Sequence, residues 1–276
     1  MAERLMVPVE SGELDVMVGG GRDHQGTIVT LHPVESMHEV APLLAEVTGA
    51  RVVSVNPRGI GRSSPHRDIR DATIDGMAAD LDLVRQALGH PRWTVWGMSA
   101  GGMVALTAAR WHPDGVEALI VDSTAPSFAA TLNDPACLLS PLHQRWRAAL
   151  ASAPDPDGGG DLDWSSLPEA GWVLRRRGGP PLLVVPSEPS EQLRRLVPSI
   201  LAFDARPWLG AIQAPALVLA GGADPVAPVA HQRALHQSIP GASLAVIDGA
   251  GHVPIGERPD DVGLLVRRFL SQRVWP

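Results

Sequence analysis

At 276 residues the chain is long enough for one large domain, or for one domain carrying a sizeable insertion. Its 45% hydrophobic and 19% charged content is an ordinary globular balance, and a formal net charge of −7 argues against a nucleic-acid surface. All 23 Lys+Arg residues are arginine, tyrosine is absent and there is 1 cysteine, which removes lysine Schiff-base and phosphate-loop chemistry, phenol acids, disulfides and cysteine-built metal sites. Ser, His, Asp, Glu and Arg chemistry remains, with no cofactor and no metal expected.

In chain order, Leu5–Val9 and Leu14–Val18 read as two strands joined as a hairpin through Glu10-Ser11-Gly12-Glu13. Thr27–Leu31 is the next strand, and Ser36 followed by Glu39 has capping-box spacing ahead of a helix carrying Val40, Leu43, Leu44 and Val47. Val52–Val55 is a strand, and Ile74–Leu88 is a helix with Met77, Leu81 and Val84 on one face, stopping at Gly89. Trp93–Trp96, the helix Met103–Trp111 and the strand Ala118–Val121 follow. After an interruption come the strand Ala216–Leu219, the helix Val229–Ile239, the strand Leu244–Ile247 and the helix Pro259–Leu270, with proline in its first turn. From Thr27 onward the strands are nearly continuous apolar runs, as strands covered on both faces must be. This alternation implies an α/β fold with a doubly wound, mostly parallel sheet.

The alternation breaks between Ser127 and Arg206, where Pro/Gly-rich joints separate helix-prone pieces at His143–Leu150 and Glu191–Leu196. We read residues 127–206 as an inserted, mainly helical cap, and residues 1–126 with 207–276 as the core. The run Arg175-Arg176-Arg177 reads as a solvated loop. No apolar run spans a bilayer and the opening residues lack the apolar segment of a secretory signal, so a cytoplasmic chain with no membrane or nucleic-acid partner is expected.

Three segments carry the chemistry. Gly97-Met98-Ser99-Ala100-Gly101 lies directly after the strand Trp93–Trp96 and opens a helix. A strand turning sharply into a helix exposes a serine at its apex, and any Cβ two positions before or after it would collide with a neighbour. Gly221-Gly222-Ala223-Asp224 follows the strand Ala216–Leu219, and Gly249-Ala250-Gly251-His252 follows Leu244–Ile247. Both sit at carboxyl ends of strands, where open α/β sheets place their sites. Singly, each is a turn residue; jointly they point to Ser99 as nucleophile, His252 as base and Asp224 as the acid that orients it.

The order Ser, Asp, His and the elbow context resemble the α/β-hydrolase superfamily across nearly the whole chain. Asn56-Pro-Arg-Gly-Ile-Gly-Arg-Ser-Ser64 is similar to that family's loop Asp-x-Arg-Gly-x-Gly-x-Ser, with Asn56 replacing Asp at a loop-structuring position. Ala205-Arg-Pro-Trp-Leu209 resembles the return from a cap into the sheet. The resemblance implies the α/β-hydrolase fold, a small-molecule substrate and an acyl-enzyme. The oxyanion would be held by the N–H of Ala100 and, by resemblance, that of Val34. His32-Pro33-Val34 departs from the family's usual His-Gly, and Pro33 has no N–H to donate. Asp122 also ends a strand, and some family members draw their acid from there; Asp224 is preferred.

His32, Met98, Trp146 and Trp172 are expected to line the substrate site. Cys137 reads as a bystander, and His231 and His236, five apart, as surface residues and not a zinc pair. The reading is a hydrolase of a carboxylic ester, thioester or lactone of a medium-sized apolar molecule. Two outcomes stay open beside it: a lyase, carbon–carbon bond hydrolase or cyclase on the same fold, and a ligand-binding protein that keeps the triad.

Overall fold

A hairpin opens the sheet, because Leu14, Val16 and Val18 alternate inward while Glu10 and Ser11 supply a two-residue turn between β1 (Glu3–Val9) and β2 (Gly12–Gly20). The computed structural model describes residues 2–21, 26–33, 36–68, 71–137, 140, 173–175, 181–184 and 191–275. Six more strands complete the sheet: β3 (Thr27–Thr30), β4 (Arg51–Val55), β5 (Trp93–Met98), β6 (Val116–Asp122), β9 (Ala216–Gly221) and β10 (Ser243–Ile247). Their order is β1-β2-β4-β3-β5-β6-β9-β10. β2 runs antiparallel to β1 and β4, and every other pairing in this sheet is parallel. The eight sequence-read strands are therefore all present, in an α/β sheet.

Parallel strands need both faces covered, and two apolar layers do this. On one face α1 (Ala41–Thr48) and α8 (Pro259–Arg273) press Leu44, Val47, Val266 and Phe269 onto Ile28, Val52, Ile120 and Leu219. On the other, α2 (Ile74–Ala87), α3 (Ala100–Trp111) and α6 (Val229–Ser238) cover Val29, Val53, Leu119 and Val218. Burying each side chain such as Met77, Leu81 or Val84 contributes about 1.5–3 kcal/mol. Thr73 caps α2 by accepting the Gly76 N–H at 3.0 Å.

The loop Asn56–Ser64 proves to be a structural knot. Asn56 Nδ2 donates to Asp15 Oδ2 at 3.0 Å, and the Ser63 hydroxyl accepts the Asp15 N–H at 2.8 Å. Arg58 forms a two-pronged pair with Asp80 on α2, at 2.9 and 2.7 Å, and donates to the Ser11 carbonyl at 2.9 Å. Both side chains of the Arg58–Asp80 pair are only 7% exposed, so neither charge has water to fall back on. Asp80→Ala should therefore cost about 3–5 kcal/mol of stability in guanidinium denaturation, because it leaves a buried guanidinium without its counter-charge. A loss below 1 kcal/mol would show the pair to be dispensable.

Between β6 and β9 the described residues form α4 (Phe128–Leu132), an antiparallel ribbon of β7 (Val173–Arg175) and β8 (Pro181–Val184), and α5 (Glu191–Ala202). Its two ends lie side by side: Ser127 bridges Asp204, and the Ala205 N–H donates to the Pro126 carbonyl at 2.7 Å. Leu196 and Ile200 of α5 reach the core, and Ser199 accepts the Ile74 N–H at 3.1 Å. The helical expectation at His143–Leu150 lies outside the described residues, as do Arg176 and Arg177.

Three local expectations are corrected and one short helix is added. Ser36 does not cap α1, which starts at Ala41 behind Val40; its hydroxyl accepts the His38 N–H at 3.3 Å instead. Arg175 ends a strand instead of joining a loop. A short helix, α7 (Pro254–Glu257), follows β10. His231 is not a free surface residue, since its Nε2 meets Asp134 Oδ2 at 2.9 Å. Among the described residues no helix is long and apolar enough to cross a membrane.

Candidate active site

The site grows from the end of β5, which is buried along its whole length. Ser99 follows it at φ 52°, ψ −122°, a left-handed conformation that costs a non-glycine residue about 1–3 kcal/mol. Packing enforces the strain. A Cβ on Gly97 would overlap the Gly101 carbonyl, and a Cβ on Gly101 would overlap the Leu31 carbonyl, so the turn requires both glycines. From the other side, the Ser99 N–H donates to the Asp122 carbonyl on β6 at 2.8 Å. The hydroxyl is thereby held at the N-terminus of α3, where the Ala100 N–H and the helix dipole favour negative charge.

Asp224 and His252 arrive on the loops after β9 and β10. The Asp224 carboxylate is turned by two backbone donors, Val226 N–H at 2.8 Å and Ala227 N–H at 2.9 Å, both to Oδ1. His252 Nδ1 lies 3.0 Å from Asp224 Oδ1 and 2.9 Å from Oδ2, while Nε2 lies 2.9 Å from Ser99 Oγ. A carboxylate only accepts, so Nδ1 carries the proton and Nε2 is left to accept from the serine hydroxyl. The His252 and Asp224 side chains are 2% and 0% exposed, which strengthens their interaction. Glu257, on α7, accepts the Gly251 N–H at 2.8 Å and the Val253 N–H at 3.2 Å, clamping the backbone on both sides of His252.

The structure thus brings Ser99, Asp224 and His252 together, with Ala100 beside them. Asp122 is also buried, but its carboxyl accepts from the Ser123 hydroxyl, and the imidazole Nδ1 meets Asp224 instead. Burial pushes its carboxyl up to about 8; the hydrogen bond that the Ser123 hydroxyl donates, at 3.2 Å, opposes this, and the nearby Asp224 and Glu257 charges add to it. His32 is buried near His252, and burial followed by the His252 charge lowers it to about 3, so it stays neutral beside the imidazole. Met98 packs among Trp96, Val253 and Ile255 in the core layer, with 8% exposure. Val34, Trp146 and Trp172 lie outside the described residues. The Cys137 thiol donates to the Val226 carbonyl at 3.0 Å, tying the chain just after α4 to the Asp224 loop.

Glu257 and Thr124 escape sequence reasoning. The Thr124 hydroxyl donates to the Ser99 carbonyl at 2.7 Å. The one sequence signal for Thr124 is the second glycine of the pair Gly101-Gly102, one more than an elbow requires. Glu257 leaves no local signal, because its partners are backbone amides on another loop.

An elbow serine, a carboxylate and an imidazole, carried at the ends of β5, β9 and β10 of this sheet, define the α/β-hydrolase class. Residues 32–259 match the model of the α/β hydrolase fold family, and the chain belongs to that family. It is 28% identical over 216 residues to pimeloyl-[acyl-carrier protein] methyl ester esterase of Neisseria meningitidis, covering 72% of this chain and 74% of that protein. It is 33% identical over 104 residues to proline iminopeptidase of Neisseria gonorrhoeae, 37% of this chain and 34% of that one. The chain thus spans about a third of the length of the proline iminopeptidases it matches. Among solved structures, an alpha/beta fold family hydrolase from Bacillus anthracis superposes with a TM-score of 0.75 at 18% identity, covering 98% of this chain and 100% of that one. A thermophilic esterase from Thermogutta terrifontis gives 0.70 at 23%, covering 99% and 98%. At such identities the likeness is one of fold.

Proposed function

We propose that the chain is a serine hydrolase that cleaves a carboxylic ester, thioester or lactone of a medium-sized apolar molecule through an acyl-enzyme. The observation that carries this is the continuous line from Asp224 through His252 to the Ser99 hydroxyl, at 2.9 Å on each side of the imidazole. Nucleophile, base and orienting acid are all within hydrogen-bond reach.

In the reaction Ser99 Oγ attacks the carbonyl carbon while its proton passes to His252 Nε2. Asp224 stabilises the imidazolium so formed. The negative oxygen of the tetrahedral intermediate is met by the Ala100 N–H, with Val34 N–H as the second donor. His252 returns the proton to the leaving alcohol or thiol, and water then repeats the sequence on the acyl-enzyme. Residues 127–206 serve as the cap, and their content of Phe128, Trp146, Trp164 and Trp172 supports an apolar acyl group.

A panel of p-nitrophenyl esters of rising chain length, with proline p-nitroanilide as the amide member, tests the reading. Medium-chain esters should turn over fastest, with a burst of nitrophenol equal to the enzyme, and EDTA should leave the rate unchanged. Hydrolysis without any acyl adduct on Ser99, or activity lost to EDTA and restored by zinc, would overturn it. Preference for the anilide would move the assignment to amide cleavage, which the proline iminopeptidase relatives favour.

A further inference from the structure

The peptide unit joining Ser99 to Ala100 is planar and trans, so the Ser99 carbonyl and the Ala100 N–H point in opposite directions. Whatever fixes the carbonyl also aims the N–H. At ψ −122° Ser99 lies outside the helical well, so α3 alone does not set the direction of this peptide. Two donors hold its carbonyl. One is the Gly102 N–H, from the helix's own first turn, at 3.0 Å. The other is the Thr124 hydroxyl, which comes from beyond the end of β6 at 2.7 Å and so ties the elbow to the neighbouring strand.

A hydroxyl has one proton to give. The other acceptor within reach of Thr124 Oγ1 is the Asp122 carbonyl, at 3.2 Å, so the shorter bond to Ser99 is favoured. Thr124 is 2% exposed, leaving no water in competition. Gly102 completes the case: a Cβ there would overlap Thr124 Oγ1, so the third glycine of the elbow admits the threonine.

We propose that Thr124 is a positioning residue, which holds the Ser99–Ala100 peptide so that the Ala100 N–H points at the developing oxyanion. This rests on the acyl-transfer reading above. Its consequence is selective. Substrate binding in the ground state does not need a well-aimed Ala100 N–H, whereas the tetrahedral intermediate does.

The experiment compares Thr124→Val, which keeps the shape and removes the hydroxyl, with Thr124→Ser, which keeps the hydroxyl. Each purified chain is measured for kcat and KM on p-nitrophenyl butyrate, for the inhibition constant of n-butylboronic acid, whose serine adduct is tetrahedral, and for its unfolding midpoint. Losing an oxyanion donor costs about 10²–10³ in kcat, so misdirecting one should cost about tenfold. We expect T124V to lose about tenfold in kcat and a similar factor in boronate affinity, with KM within about twofold, and T124S to restore both. T124V with unchanged kcat and boronate affinity, or with a loss that T124S does not repair, overturns the proposal. Should T124V not fold, T124A against T124S isolates the same hydroxyl. Failure of the acyl-transfer reading looks different: the wild-type chain then neither hydrolyses the ester nor binds the boronate at Ser99, and this proposal falls with it.

Discussion

Ser99→Ala should lower ester turnover by about 10⁶-fold and abolish labelling by a fluorophosphonate, read as loss of the adduct in intact-protein mass spectrometry. The size of the effect follows from the three groups acting as one unit, so that losing the nucleophile forfeits the contribution of all of them. The prediction is sharpened by an internal control. A second Ser, His and Asp grouping lies at β4, two strands from β5 in the sheet, where His38 Nδ1 meets Ser54 Oγ at 2.8 Å and Nε2 lies 3.5 Å from Asp15 Oδ1. Ser54 is wholly buried in β4, with no helix N-terminus behind it. Asp15 is committed to Arg4, whose guanidinium holds it well below the usual carboxylate range. Composition of the grouping is the same; access and backbone strain differ. An adduct on Ser54, Ser36 or Ser123 that persists in Ser99→Ala would sink the assignment of the nucleophile.

The parts of the fold legible in the sequence were those with a long-range period or a forced backbone. β3 to β6 and β9 show as apolar runs because both faces are buried, β10 shows as one although it is half-buried at the sheet edge, and the Ser99 turn shows because a glycine is sterically required on each side of it. Short elements carried no such trace. α7 is one turn long, too brief for a hydrophobic period, and β7 and β8 lie in Pro/Gly-rich sequence that reads as joints. The Ser36–Glu39 spacing mimicked a capping box while the chain still had a turn to make through His38 before α1 could begin. The same limit applied at the site. Asp224 and His252 were recoverable from their place after strands, whereas Glu257 and Thr124 act through backbone groups that only the folded chain brings near. The role of Asn56 was legible only through the resemblance of its loop to the family's, because its partner Asp15 stands 41 residues away in the knot where Asp15, Ser63 and Arg62 meet.

Asp224→Asn should cost about four orders of magnitude in kcat, and Asp122→Asn less than about tenfold. The difference lies in what each carboxyl can do for His252. Asp224 accepts from Nδ1 and carries the charge that meets the imidazolium, and its amide replacement would present the wrong group to the ring. Asp122, with burial holding it near 8, is neutral at pH 7 and has no charge to offer. Its raised value has a second, separable signature in stability. The ordinary carboxyl pKa of 3.8 applies to the unfolded chain, so between pH 4 and pH 8 unfolding releases a proton that the folded protein retains. The contribution is complete below that range and fades as pH rises toward 8. Wild type should therefore lose stability relative to Asp122→Asn as pH rises from 4.5 to 8, while the two hydrolyse esters at comparable rates. His32, shifted in the opposite direction, titrates alike in both chains and cancels from the difference. If Asp122→Asn instead proved the costlier change in kcat, the orienting acid would sit on β6 and the Asp224 assignment would be wrong.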